Sequence, residues 1–357
     1  MKAKLLFLLL TAFFLLNSCT DSTYSEPAKP IEPEVPEEYH YNLPVIFHVL
    51  YKDPNDKLQY VSQTRLSEIL NIVNAMYKNT KQSVDMNLTF NLATTDPKGV
   101  RLSKPGVEYI NWTEDYPIDC EKFMNDDLSA GGKGYTKHLW DPNKYINIMI
   151  YNFVKEPESE NTILGISHLP FTTKGENSLE GLSEVRQSYI QQSNLSFPYC
   201  VSINSLYINK QSNEKIYEAG DVTVTLAHEL GHYLGLYHTF SEDSKGKLLN
   251  DCRDTDYCND TPSYNKIEYD DKWNDKIPED QIFNYLLKRT NCSNREFISH
   301  NIMDYAVSHS DQFTQDQRNR IRHVLMYSPL IPGPKKTQTD TRTVDEGLLN
   351  LPISVRK

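Results

Sequence analysis

The stretch AHELGHYLGLYH, residues 227–238, carries three histidines and one glutamate in twelve residues. With Thr223, Val224 and Leu226 ahead of it and Leu230 inside it, the segment reads as a buried helix. Four residues of helix turn through about 400°, so His228 and His232 share one face and form a chelating pair. In a continued helix His238 would stand roughly 9 Å further along the axis on another face, whereas a zinc–nitrogen bond is about 2 Å. The helix therefore has to stop. Gly235 is the residue type that accepts the left-handed conformation ending a helix, and a turn there brings His238 back as a third ligand.

A bare His-Glu-x-x-His arises by chance in about one chain in fifty of this composition, and the added Gly235 and His238 lower that to about two in a hundred thousand. A buried helix whose histidines only pack is the bland alternative. Three neutral imidazoles on zinc leave an open position, the arrangement of a catalytic site, whereas structural zinc sites are closed by four protein ligands. Glu229 lies about 100° round the helix from His228, beside that position without being a ligand. Zinc lowers the pKa of its water and polarises a substrate carbonyl, and Glu229 acts as general base, later delivering the proton to the leaving amine.

At the N-terminus, Lys2 and Lys4 precede an apolar run over residues 5–16 that is too short to span a bilayer. It ends at Leu16-Asn17-Ser18-Cys19, which resembles a bacterial lipobox whose cysteine becomes the lipidated N-terminus. A secretory signal with a coincidental cysteine is the alternative. The expected location is the cell envelope, at the outer membrane, facing the periplasm or the surface. Removing Lys2 and Lys4 takes the net charge from −11 to −13, which argues against nucleic acid and against electrostatic binding to anionic lipid. The domain plan is a signal peptide over 1–18, a Pro/Glu-rich tether over 19–40, a catalytic domain over 41–330 divided after 235, and a tail over 331–357. The tether has too little apolar surface to fold and is too short for a folded inhibitory pro-domain.

Within the domain, LPVIFHVLY over 43–51 is an almost unbroken apolar strand of the kind buried inside a sheet, with His48 a core or edge residue. Ser62 can cap a helix carrying Leu66, Ile69, Leu70, Val73 and Met76 on one stripe. Val84, Met86, Leu88, Phe90 and Leu92 alternate as a half-buried strand, residues 145–151 form another, and shorter candidates lie at 163–169 and 200–208. Thr314 and Gln317 fit a capping box opening a last helix through Ile321, Val324 and Leu325. The order implies an α+β, α/β-like fold with the His228 helix packed on a sheet.

Beyond His238 the pattern turns loop-rich. Asp254, Asp256, Asp260 and Thr261 crowd one segment that offers oxygen ligands to a calcium ion, although the spacing is not that of an EF-hand; a solvated acidic loop is the alternative. Residues 263–291 read as an insertion or long surface loop. After Cys19 five cysteines remain, Cys120, Cys200, Cys252, Cys258 and Cys292, so at least one stays unpaired within the chain. Spacing does not fix the pairing; Cys258 with Cys292 is the expected bridge. The absence of Cys-x-x-Cys argues against a cysteine zinc cluster.

His228-Glu229-x-x-His232-x-x-Gly235-x-x-His238 resembles the metzincin zinc signature, and Asn301-Ile302-Met303-Asp304-Tyr305 resembles that clan's methionine turn. GLYHTF at 235–240, DTP at 260–262, MDY at 303–305 and FTQDQRNRI near the end are similar to the pappalysin family of metalloendopeptidases. LPVIFHVLY and WDPNKYINIMIYNF extend the likeness to roughly residues 41–328, and the lipobox suggests its lipoprotein branch. The resemblance implies a metzincin catalytic domain with a mixed twisted sheet, a backing helix, an active-site helix and an irregular C-terminal subdomain. It implies Met303 as an apolar floor under the metal and Tyr305 as a hydrogen-bond donor to the oxyanion. It also implies an extended polypeptide substrate along a sheet edge near residues 163–169. Where some pappalysins carry acidic residues that favour basic side chains, this chain continues Ala306-Val307-Ser308-His309-Ser310, so no preference for Arg or Lys follows.

The resulting reading is a zinc endopeptidase tethered to the bacterial envelope through Cys19. Two alternatives stand beside it: a polypeptide-binding lipoprotein on a protease fold, and a zinc amidase acting on cell-wall peptides. The intact Glu229 argues against a pure binder, which has no chemical use for it.

Overall fold

The long apolar run at 41–51 becomes the middle of a sheet because both its faces are covered. In the computed structural model, which describes residues 38–78, 82–155, 162–212, 218–243, 246–305, 307–336, 349 and 354–356, this strand is β1 (Tyr41–Tyr51) and residues 45–50 are all buried. The elements that follow are α1 (Gln63–Met76), β2 (Leu88–Leu92), β3 (Val107–Asn111), α2 (Cys120–Met124), β4 (Ile146–Tyr151), β5 (Gly165–His168), β6 (Phe171–Thr173), β7 (Ser183–Val185) and β8 (Val201–Asn204). After them come α3 (Val222–Tyr233), α4 (Lys266–Asp270), α5 (Glu279–Leu286), β9 (Lys288–Thr290), β10 (Glu296–Ile298), α6 (Gln315–Tyr327) and β11 (Ser354–Arg356).

The principal sheet is mixed. Its order is β11-β5-β8-β4-β1-β2, with β3 taking over from β2 along the second half of β1. β2, β3, β4 and β8 run parallel to their neighbours, whereas β5 is antiparallel to β8. α1 backs the sheet through Leu66, Ile69, Leu70, Val73 and Met76, and Ser62 caps it by accepting from the Arg65 N–H. Burying five such side chains contributes about 1.5–3 kcal/mol each before entropy is counted. All twelve residues of α3 are buried. Its apolar sequence suits that environment: α1 is tied to it by the Tyr77 hydroxyl, which donates to the Ala227 carbonyl at 2.9 Å, and β5 and β8 lie against it. His48 is a core residue, its ring nitrogens 2.7 Å from Glu108 and 2.9 Å from Asn147.

Several expectations change. The alternating run at 84–92 is a strand only from Leu88, because Asn87 adopts a left-handed φ of 54° that breaks the extended backbone. Residues 263–291 hold α4, α5 and β9 rather than a plain loop. Residues 331–336 are packed at their start, with Ile331 buried, and residues 354–356 pair antiparallel with β5. The cysteine bridge joins Cys252 to Cys292, not Cys258 to Cys292, with Cα atoms 5.2 Å apart. Cys252 and Cys292 meet beside the Ser263 carbonyl, which also accepts from the Cys292 N–H. Cys258 is buried and free on the other side of its loop, where the next residues bind the start of α6: Asn259 N–H donates to Asp316 and Asp316 N–H to Asp260. The lipobox lies outside the described residues, among which no helix is long and apolar enough to cross a membrane.

Candidate metal centre

His228 and His232 project from one face of α3, as the four-residue spacing requires. The helix ends at Leu234, and Gly235 takes a φ of 95°. The Leu236 N–H returns to the Gly231 carbonyl and the Gly235 N–H to that of His232, the paired bonds of a Schellman turn. A Cβ at Gly235 would come within 2.8 Å of Val324, so close approach of α6 also demands glycine here. Arg320 of α6 fastens the turn by donating to the Gly235 carbonyl at 2.6 Å.

The turn delivers His238 to the other two. The three Nε2 atoms form a triangle with sides of 3.0, 3.1 and 3.1 Å. Each ring presents its other nitrogen to an acceptor: His228 Nδ1 to the Ile302 carbonyl, His232 Nδ1 to the Leu236 carbonyl and His238 Nδ1 to Glu242 Oε2, all at 2.8 Å. These acceptors select the Nδ1–H tautomers, so the lone pairs of all three Nε2 atoms converge on one point. Tetrahedral zinc with bonds of about 2.0–2.1 Å spaces its nitrogens roughly 3.3 Å apart, close to what the triangle offers. Among the described residues the three histidines are the one group of three or more His, Cys, Asp or Glu side chains placed to hold a metal.

Glu229 follows His228 on α3 and is fully buried, and its side chain lies against β5. A Cβ at Gly165 would stand 2.7 Å from Glu229 Cγ and 2.9 Å from Oε1, so the glycine in β5 makes the room that this carboxylate occupies. β5 is the segment expected to receive an extended substrate, and on its outer side it is paired with β11 of this same chain. Tyr305 stacks into the site, its ring centroid 4.3 Å from that of His238 and 5.7 Å from that of His228. Met303 is fully buried beneath α3, where a Cβ at Gly231 would be 2.5 Å from its sulfur.

The turn around Met303 is braced from two sides. Asn301 and Gln317 exchange two amide hydrogen bonds at 3.0 Å, joining it to the capping box of α6. From the other side comes Arg289 of β9, with no exposed surface. Its Nη2 donates to the carbonyls of Tyr305 at 3.2 Å and Val307 at 2.8 Å and lies 3.4 Å from Asp304, while its guanidinium stacks 3.7 Å over the Tyr269 ring. Neither Arg289, Arg320, Glu242 nor Gly165 was legible as a site residue. Glycine stands where a bulky side chain needs room, Gly165 against Glu229 and Gly231 against Met303.

The acidic loop is only partly assembled. Asp256 accepts from the Thr261 hydroxyl at 2.6 Å and its N–H donates to Asp254. Burial pushes the Asp256 carboxyl up to about 8, with Asp254 adding to that effect and the Thr261 hydrogen bond opposing it. Asp260 is turned away to α6, so the four expected calcium ligands are not one donor set.

Residues 196–326 match the family model described as Pregnancy-associated plasma protein-A, a peptidase family, and they hold the three histidines and the Met303 turn. Over that segment the chain is similar to this peptidase family. Over 99 residues it is 36% identical to proteins named extracellular metalloprotease from Arthroderma benhamiae and Trichophyton verrucosum, covering 27% of this chain and 29% of each relative. The chain thus spans under a third of the length of the curated relatives it matches. The fold is shared with a solved structure of mirolysin in complex with a bound compound, at a TM-score of 0.52 and 20% identity over 80% of this chain and 92% of that one. A structure of Tannerella forsythia promirolysin matches at 0.50 and 19%, covering 82% of each.

Proposed function

We propose that this chain is a zinc endopeptidase that cleaves extended polypeptide. The observation that carries the reading is the convergence of three buried imidazole Nε2 atoms within 3.0–3.1 Å of one another, each fixed by an acceptor at Nδ1. A zinc ion held there would supply Lewis acidity and bring a water within reach of deprotonation at neutral pH. Glu229, confined between α3 and Gly165, accepts the proton of the attacking water and returns it to the departing amine nitrogen. Tyr305 faces the same space and donates a hydrogen bond to the carbonyl oxygen as charge develops on it. Met303 closes the apolar floor.

The test is to profile a mixed peptide library with wild type and Glu229→Ala at full zinc loading. Cleavage by wild type that disappears in the variant, with zinc and fold retained, supports the assignment. A zinc-loaded wild type that cuts nothing the variant leaves intact points instead to a polypeptide-binding protein, and cleavage confined to cell-wall peptides points to an amidase. We further propose anchoring to the bacterial envelope through a lipid on Cys19, supported by Leu16-Asn17-Ser18-Cys19. Cys19→Ser should move the protein from the membrane to the soluble fraction, and unchanged membrane recovery would refute the anchor.

A further inference from the structure

The three imidazoles are anchored in two ways. Nδ1 of His228 and of His232 donate to main-chain carbonyls. Nδ1 of His238 instead lies 2.8 Å from Oε2 of Glu242, with both side chains almost wholly buried, 2% and 3% exposed. The contrast follows from position. His228 and His232 are placed by α3 itself, whereas His238 lies beyond the Gly235 turn on irregular backbone that fixes a ring far less strongly.

We propose that Glu242 is the positioning residue of the third metal ligand. Its carboxylate accepts the Nδ1–H of His238, holds that tautomer and aims Nε2 into the triangle, which strengthens metal binding. The backbone that carries this carboxylate is itself held in place. Glu242 N–H lies 3.2 Å from the Thr255 hydroxyl, which donates to the Phe240 carbonyl at 3.2 Å, and residue 242 forms an antiparallel bridge with Leu248. Phe240, from the same segment, stacks on His238 with centroids 4.8 Å apart and planes 12° from parallel. One short stretch therefore restrains this ring both in its plane and across it. A buried carboxylate with this environment has an evident purpose when a cation sits behind the imidazole, since the metal's charge offsets the cost of its burial.

The inference rests on reading the histidine triangle as a zinc site, and the experiment separates the two. Zinc-free wild type, Glu242→Ala, Glu242→Met and Glu242→Gln are titrated with zinc against a chromogenic chelator, and the visible spectrum of each cobalt(II) form is recorded. The apolar variants should lose about 10–100-fold in zinc affinity. Glu242→Gln, whose amide oxygen still accepts from Nδ1–H, should recover part of that loss and a wild-type-like cobalt spectrum. Glu242→Met keeps the test open if the alanine variant does not fold. A folded apolar variant that binds zinc as tightly as wild type overturns the assignment alone. Wild type that binds no zinc overturns the metal reading and this assignment with it.

Discussion

Up to Tyr233 the site is held by periodic backbone, whereas beyond Gly235 it is held by side chains that reach main-chain carbonyls. The first region sets His228, Glu229 and His232 on one helix, wedged among α1, β5 and β8. Apart from α6, the second has only short helices and the three-residue β9–β10 pairing, and its order around the site depends on Arg289, Arg320, the Asn301–Gln317 amide pair and one disulfide. The comparison teaches that chemistry and support are separable here. Replacing Glu229 in the first region should remove catalysis and leave the fold, whereas replacing a bracing residue such as Arg289 in the second should loosen the fold around an intact reactive group.

The largest effect is expected at Glu229. Glu229→Ala should lower kcat by about 10²–10⁴-fold, the range for loss of a general acid–base group, with zinc content unchanged. Equal loss of zinc would show that Glu229 supports the site and would erase the distinction between the regions.

Arg289 is the counterpart in the second region. It is fully buried against Asp304, Tyr269 and the carbonyls around Tyr305. Removing one partner of a buried pair costs about 3–5 kcal/mol because the other charge is left uncompensated. Arg289→Met should therefore lower the unfolding free energy by about that much, measured in denaturant. Arg289→Met combined with Asp304→Asn should recover part of it. If the single variant unfolds like wild type, the methionine turn does not depend on this clamp.

The disulfide sharpens the same contrast. Closing a loop between positions 40 residues apart restricts the unfolded chain, and its loss should cost about 2–4 kcal/mol. Cys252→Ser and Cys292→Ser should be equivalent, and the double variant no worse than either, while Cys258→Ser should leave the bridge detectable by mass spectrometry. A bridge that survives Cys252→Ser would restore the Cys258 pairing.

These two regions were also unequally legible. The strands at 41–51 and 146–151, the α1 stripe, the α3 ligands and the α6 capping box follow from period and capping chemistry, which act over a few residues, whereas β3 and β11 do not. The position of His238 was readable because a single glycine stands between it and the helix. Arg289, Glu242 and Cys252 were not, because their roles depend on which loops meet, and no local period encodes that meeting. Cys258 illustrates the limit: spacing left it equivalent to Cys252 until the Asp260–Asp316 contact carried its side of the loop toward α6.

The smallest effect, and the most direct probe of the boundary, is expected at Gly235. An alanine there has to hold a φ of 95° and would place its Cβ 2.8 Å from Val324. The left-handed backbone alone costs roughly 1–2 kcal/mol for a residue with a side chain. Val324 is a branched side chain buried in α6 and has little room to yield, so the strain should be relieved by shifting the turn instead. Gly235→Ala should then reduce zinc affinity more than its modest destabilisation implies, because the turn carries His238 and leaves His228 and His232 where they are. Pairing it with Val324→Ala removes the contact but not the backbone cost. Recovery of zinc affinity in that double variant would assign the effect to the approach of α6, and no recovery would assign it to the conformation of residue 235 itself.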